Sequence, residues 1–180
     1  TKDRSEKGFP TFKHVVNKLL EYNYDLQFHI VGNFFSSDFE GCRDVSSVYF
    51  HGALNEFELD EILSKTHIHI SPNVPFHLSE GAFDGFPLGT CVTSGFLGNV
   101  LFMTDYFEES NILGWKDGIE FVKIDNDPKS IINKVLYFLE NRGELLALSK
   151  NCQFKLINDY SFEAQIKPRL EIIDYYLKNS

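Results

Sequence analysis

The chain has 180 residues and a mass of 20.8 kDa, enough for one substantial hydrophobic core and little for two. Its 26 acidic residues outnumber its 17 basic residues, and the formal net charge of −9 argues against binding nucleic acid or an anionic membrane through a basic face. No apolar run approaches the roughly 20 residues that a spanning helix needs. Three scattered cysteines do not form a disulfide framework and predict a reducing, cytoplasmic setting.

Helices and strands alternate along the sequence. A first amphipathic helix is predicted where apolar residues recur at spacings of three and four from Phe12 to Leu20. Short apolar runs that stop at glycine or polar turns predict strands at residues 25–32, 48–52, 68–70, 100–103 and 119–124. Further helices are predicted from the capping pair Asn55 and Glu58, from about Leu88, from Asp127-Pro128, and over residues 143–158 and 161–178, with Pro168 kinking or starting the last.

This alternation indicates one α/β domain over residues 1–180. Near-continuous apolar strands between amphipathic helices are typical of a Rossmann-like, doubly wound parallel sheet with helices on both faces. Residues 142–180 are predicted to form extra closing helices that pack across the sheet edge or reach another domain.

In an open α/β sheet, ligands bind beyond the carboxyl ends of the strands. The segments predicted at that edge are Gly32 with the residues after it, Gly52-Ala53-Leu54, the loop at residues 71–87, and Thr104-Asp105. The long loop carries carboxylates at Glu80 and Asp84, and its glycines allow the backbone to approach a ligand closely. A helix follows directly, and free N–H groups at a helix N-terminus bind phosphate. The sequence therefore predicts a ligand with hydroxyls and a diphosphate.

The order of these segments resembles a known family. The resemblance depends on Lys7-Gly8 before a helix, Val31-Gly32 and Val48–Leu54 at strand ends, Asp84-Gly-Phe-Pro-Leu88 between a strand and a helix, and Gly98-Asn99 leading into Thr104-Asp105. It covers nearly the whole chain. On these motifs the chain resembles the C-terminal, donor-binding domain of GT-B glycosyltransferases of family 4 (glycosyl transferases group 1).

The resemblance implies roles for particular residues. In that family two glutamates spaced by seven residues contact the donor sugar and the nucleotide ribose. The first corresponds to Asp84, with Glu80 as the alternative, and the second falls at Val92 or Thr93, neither of which is a carboxylate. Lys7 corresponds to the lysine that neutralises the diphosphate. The remaining implied donor-binding residues are Gly32, Gly52, Ala53, Leu54, Gly85, Phe86, Pro87, Leu88 and, through its hydroxyl on the ribose, Thr93.

The resemblance also implies partners. The donor is a nucleotide-diphosphate sugar, and neither a cofactor nor a metal is expected. The acceptor is expected on an N-terminal domain absent from this sequence, which would also carry any contact with the inner face of the membrane. The chain alone is therefore expected to bind donor weakly and to be inactive as an isolated fragment of a retaining glycosyltransferase.

Two other functions stay open from the sequence. A nucleotide-sugar 2-epimerase shares the two-domain architecture, and a degenerate domain kept for binding or assembly would explain the absent second glutamate. A metal site at His67, His69 and His77 is disfavoured because alternation along a strand explains two of these histidines. Cys91 is interpreted as packing, since no base that could activate it is evident.

Overall fold

The computed structural model describes residues 7–22, 24–41, 45–77 and 79–179. Its elements in chain order are α1 (Phe9–Leu19), β1 (Phe28–Val31), a short 3-10 helix (Ser36–Phe39), β2 (Val48–Gly52), α2 (Glu56–Leu63), β3 (Ile68–Ser71), α3 (Gly89–Phe96), β4 (Val100–Thr104), α4 (Glu109–Leu113), β5 (Val122–Ile124), α5 (Pro128–Glu140), α6 (Arg142–Tyr160), α7 (Phe162–Gln165) and α8 (Lys167–Lys178). Among the described residues, no helix is long and apolar enough to cross a membrane.

All of the described strand pairs are parallel, as the sequence predicts. β1 pairs with β2, and β4 lies between β3 and β5. The α/β class with parallel strands is therefore confirmed. The described strands form two hydrogen-bonded sheets, β1-β2 and β3-β4-β5, rather than the single predicted sheet, since no backbone pairing joins the two sets among the described residues.

Strand β4 is a continuous apolar run in the sequence because both of its faces are buried. Val100 and Phe102 pack with α1 and α5, while Leu101 and Met103 pack with α3 and α6 on the other face. All four side chains are at most 2% exposed. Helices therefore cover both faces of this sheet, which is the doubly wound arrangement.

Three element predictions need correction. The predicted strand at 119–124 is shorter, because a turn in which the Gly118 N–H bonds the Phe121 carbonyl precedes β5. The five-residue helix α4 lies between the strands predicted at 100–103 and 119–124, where the sequence predicts no helix. The last predicted helix is divided into α7 and α8, and the alternative in which Pro168 marks the start of a helix is confirmed, because Pro168 lies in the first turn of α8. The loop from residue 72 to the start of α3 contains neither helix nor strand among its described residues, as predicted.

Candidate functional site

The start of α1 is pressed against the carboxyl end of β3. Gly8 has a φ of +66°, and a Cβ on it would lie 1.8 Å from the carbonyl oxygen of Pro72, the residue after β3. Only glycine fits this contact without displacing the backbone. The close approach places Lys7, the residue before Gly8, at the sheet edge where ligands bind in such folds.

Lys7 and Asp84, two residues predicted at the site from separate motifs, form an ion pair. The Lys7 Nζ lies 2.5 Å from the Asp84 Oδ2, across 77 residues of sequence. The hydrogen bond from Lys7 lowers the pKa of Asp84, and a bond from Asn73 adds to this against the opposing effect of partial burial. Since the side chains are 51% and 39% exposed, the pair contributes about 1 kcal/mol or less to stability.

Asn73 links Asp84 to the sheet, and the sequence predictions missed it. Its Nδ2 donates to Asp84 Oδ2 over 2.8 Å, and its Oδ1 accepts from the Ser71 hydroxyl over 2.8 Å. Its backbone carbonyl accepts from the Thr104 hydroxyl at the end of β4. Asn73 is 8% exposed, so its polar groups lie largely out of water but are hydrogen-bonded. Its position could have indicated a role, because Asn73 is a polar residue two positions after a strand at the edge where ligands bind.

A small pocket adjoins this cluster. Its lining comes from the ends of β3 and β4 and from the loop around Asp84, namely Ser71, Asn73, Phe83, Gly85, Phe86, Leu88, Met103 and Thr104. Gly85 has a φ of +83° and open space where a Cβ would lie, so the backbone is accessible there. Three of the predicted donor-binding residues, Gly85, Phe86 and Leu88, thus lie beside Asn73. Leu88 is also the N-cap of α3.

Two predicted residues of the loop and the following helix do not join the cluster. Glu80 lies exposed in a turn. Thr93 is half-buried on α3, and its hydroxyl donates to the Gly89 carbonyl over 3.2 Å. Val92 packs beside the buried cluster that contains Cys91. Neither position of the implied second glutamate therefore offers a carboxylate.

The predicted residues at the ends of β1 and β2 meet each other. The Gly32 N–H donates to the Gly52 carbonyl over 2.7 Å, which joins the two strand ends. Gly52 has a φ of +68° and open space at its Cβ position. Ala53 is exposed after it, and Leu54 is half-buried. This edge leaves backbone accessible to a ligand.

The cysteine and histidine alternatives also have defined positions. Cys91 is fully buried, and burial raises the pKa of its thiol to about 11, which keeps it protonated near neutral pH. Burial lowers the pKa of His69 to about 4, while His67 and His77 are exposed. Within the described part of the chain, no group of three or more His, Cys, Asp or Glu side chains is arranged to hold a metal ion.

Solved structures of glycosyltransferases share this fold. The chain is similar to a glycosyltransferase from Rickettsia africae, with a TM-score of 0.74 and 17% identity over 100% of this chain and 47% of the other. It is similar to a sucrose-phosphate synthase from Thermosynechococcus elongatus, with a TM-score of 0.75 and 13% identity over 98% and 44%. It is also similar to the C-terminal domain of a glycosyl transferase group 1 family protein from Francisella tularensis. The TM-score is 0.65, and the identity is 13% over 87% of this chain and 80% of the other.

These similarities identify the fold. The chain has the Rossmann-like α/β fold of GT-B glycosyltransferases, and it spans about half the length of the first two structures. No protein-family model matches the sequence, and no curated protein sequence matches it. The structural resemblance predicted from the motifs is confirmed, while family 4 and the donor-binding role stay predictions.

Proposed function

We propose that this chain is the nucleotide-sugar-binding domain of a retaining, family 4-like glycosyltransferase. The observation that carries the proposal is the Asp84 carboxylate, whose Oδ2 is held by both Lys7 and Asn73 at the carboxyl edge of the strands. Among the described residues, no group hydrogen-bonds the other oxygen, Oδ1. An ionised carboxylate only accepts hydrogen bonds, so its natural partner is a ligand hydroxyl.

Lys7 supplies the second part of donor recognition. Its ammonium group has three N–H donors, so it keeps its bond to Asp84 while donating to a diphosphate oxygen. The N-terminus of α3, which begins at Gly89 just after the pocket residue Leu88, adds backbone N–H groups for the same anion. The ends of β1 and β2, at Gly32 and Gly52, bind the nucleoside.

The proposed reaction is attack of an acceptor hydroxyl on the anomeric carbon. The bond between that carbon and the diphosphate oxygen breaks, and the leaving nucleotide diphosphate takes up the hydroxyl proton. Asp84 orients the sugar, while Lys7 and the α3 N-terminus stabilise the charge that develops on the leaving diphosphate. The acceptor is bound by a second domain of a longer protein, which would also carry any membrane contact. A cytoplasmic setting accords with free thiols at Cys91 and Cys152.

Titration with UDP, GDP, UDP-glucose and GDP-mannose tests the proposal. We expect saturable binding that weakens roughly tenfold in Lys7→Ala, the size of a charge-assisted contact. Lys65→Ala is the matched control, because Lys65 is an exposed lysine that follows the end of α2 and pairs locally with Glu61, four residues earlier in the chain. No binding at millimolar ligand, or equal losses in the two variants, would contradict the proposal.

One observation favours a second candidate, a domain that binds the donor without transferring sugar. The family's ribose-binding carboxylate is replaced at both possible positions, and the Thr93 hydroxyl is engaged with Gly89. Binding of nucleotide sugar by the full-length protein, with neither transfer nor epimerisation, would support this candidate. Epimerisation of nucleotide sugar without acceptor would indicate the 2-epimerase instead.

A further inference from the structure

The side chain of Asn73 and its backbone make separate contacts. The amide group joins Ser71 to Asp84, whereas the backbone carbonyl accepts the Thr104 hydroxyl over 3.0 Å. The first contact concerns the proposed donor site. The second joins the ends of β3 and β4 and is independent of the amide.

The amide of Asn73 has one favourable orientation. Its Nδ2 must point to Asp84, since the reverse orientation would place the amide oxygen against a carboxylate oxygen. In this orientation the amide oxygen accepts a hydrogen bond from the Ser71 hydroxyl, which holds the amide group from the strand side. Because Asn73 and Ser71 are 8% and 6% exposed, water competes little for the bond between them.

Two donors therefore converge on one oxygen of Asp84. Lys7 comes from the start of α1 and Asn73 from the end of β3, and both bond Oδ2. Asp84 is 11 residues beyond Asn73 at the far end of a long loop, so this bond ties the loop to the sheet. The carboxylate is thereby oriented by the sheet as well as by the exposed lysine.

We propose that Asn73, itself oriented by Ser71, is a positioning residue that occupies Oδ2 of Asp84 and reserves Oδ1 for a hydroxyl of the donor sugar. This inference rests on the proposed function, because the sugar is the ligand that it positions. It assigns Asn73 a role in sugar recognition and none in nucleotide recognition. A ligand that lacks the sugar loses nothing when Asn73 is changed.

The first test follows the Asp84 carboxyl by carbon NMR during a pH titration. We expect Asn73→Ala to raise the pKa of Asp84 because a hydrogen bond to its ionised form is lost. Ser71→Ala should raise it less. Thr104→Val is the matched control, since it removes the contact with the Asn73 backbone but keeps the amide. An unchanged pKa in Asn73→Ala, or the same change in Thr104→Val, would overturn the proposal.

The second test compares a nucleotide sugar with its nucleotide, using whichever of UDP-glucose and GDP-mannose the wild-type chain binds. Asn73→Ala should weaken the nucleotide sugar roughly threefold to tenfold and leave UDP or GDP unchanged. Equal weakening of both ligands overturns the role of Asn73 while leaving the proposed function intact. If wild type binds neither ligand, the proposed function fails and the sugar role with it, while the NMR titration still decides whether Asn73 orients Asp84.

A near-isosteric variant covers the case in which Asn73→Ala does not fold. Asn73→Asp keeps the size of the side chain but replaces the amide donor with a second carboxylate beside Asp84. Repulsion between the two should raise the pKa of Asp84 further than loss of the bond alone. An Asp84 pKa at or below the wild-type value in this variant would refute the contact.

Discussion

Replacing Gly8 by alanine should destabilise the chain and separate the two charged residues of the site. The left-handed backbone at Gly8 costs a residue with a Cβ about 1–2 kcal/mol. The added Cβ would also lie 1.8 Å from the Pro72 carbonyl oxygen, so α1 or the end of β3 must shift. We expect a total loss of about 3 kcal/mol or more in the free energy of unfolding, a large part of the 5–15 kcal/mol typical of a domain.

Gly118→Ala isolates the contribution of the clash. Gly118 also has a left-handed backbone, with a φ of +75°, but no atom lies within 4 Å of its Cβ position. Its substitution should cost only about 1 kcal/mol, because alanine also stiffens the unfolded chain. Urea denaturation of the two variants gives the comparison. Equal losses would refute the contact between α1 and β3, as would an Asp84 pKa that stays at the wild-type value in Gly8→Ala.

Two further predictions concern the polar side chains of Asn99 and His69. Asn99 is fully buried and donates to the carbonyls of Leu63 and Ser94, so Asn99→Ala should lower the free energy of unfolding in urea by roughly 2–4 kcal/mol; a loss below about 1 kcal/mol would contradict this. His69 has a folded-state pKa of about 4, below the ordinary value, so the unfolded chain binds a proton first and stability should fall as pH drops from about 6.5 to about 4. The wild type should lose roughly 1–3 kcal/mol more than His69→Asn over this range in urea denaturation, and parallel pH profiles would disprove the assignment.

The sequence was sufficient for the fold because its signals are local. Strand β4 is a run of apolar residues, and Asn55 with Glu58 forms the capping box that the sequence predicts at the start of α2. Helix α4 was missed because its five residues show no periodicity and its caps depend on left-handed backbone at Glu108 and Gly114. A non-glycine residue rarely adopts a left-handed backbone, so the sequence around Glu108 does not indicate that a helix begins there.

The site was predicted only in part, because its decisive contacts join distant residues. Asp84 and Lys7 were found through motifs, but nothing in either motif predicts that they form an ion pair across 77 residues. The approach of Gly8 to Pro72 that brings them together depends on how α1 packs against β3. Asn73 lies in the segment Ser-Pro-Asn at the end of β3, which has no distinctive pattern. Its role is evident only from the folded structure, where the following loop places Asp84 within hydrogen-bond distance of it.

The ion pair between Lys7 and Asp84 also bears on how an acidic chain would accept the anionic donor of the proposed function. With a net charge of −9, the chain repels a diphosphate at long range, but salt screens such interactions beyond about 8–10 Å. At contact, a unit pair about 4 Å apart is worth roughly 4 kcal/mol at an effective dielectric constant of 20. Lys7 supplies only part of this attraction, because its side chain is 51% exposed and because its neighbour Asp84 carries a negative charge. A nucleotide diphosphate without its sugar therefore meets the repulsion of Asp84 and gains nothing from it. Under the proposed function, a nucleotide sugar would offset that repulsion with a hydroxyl on Oδ1, so the cluster would favour the intact donor over the product nucleotide.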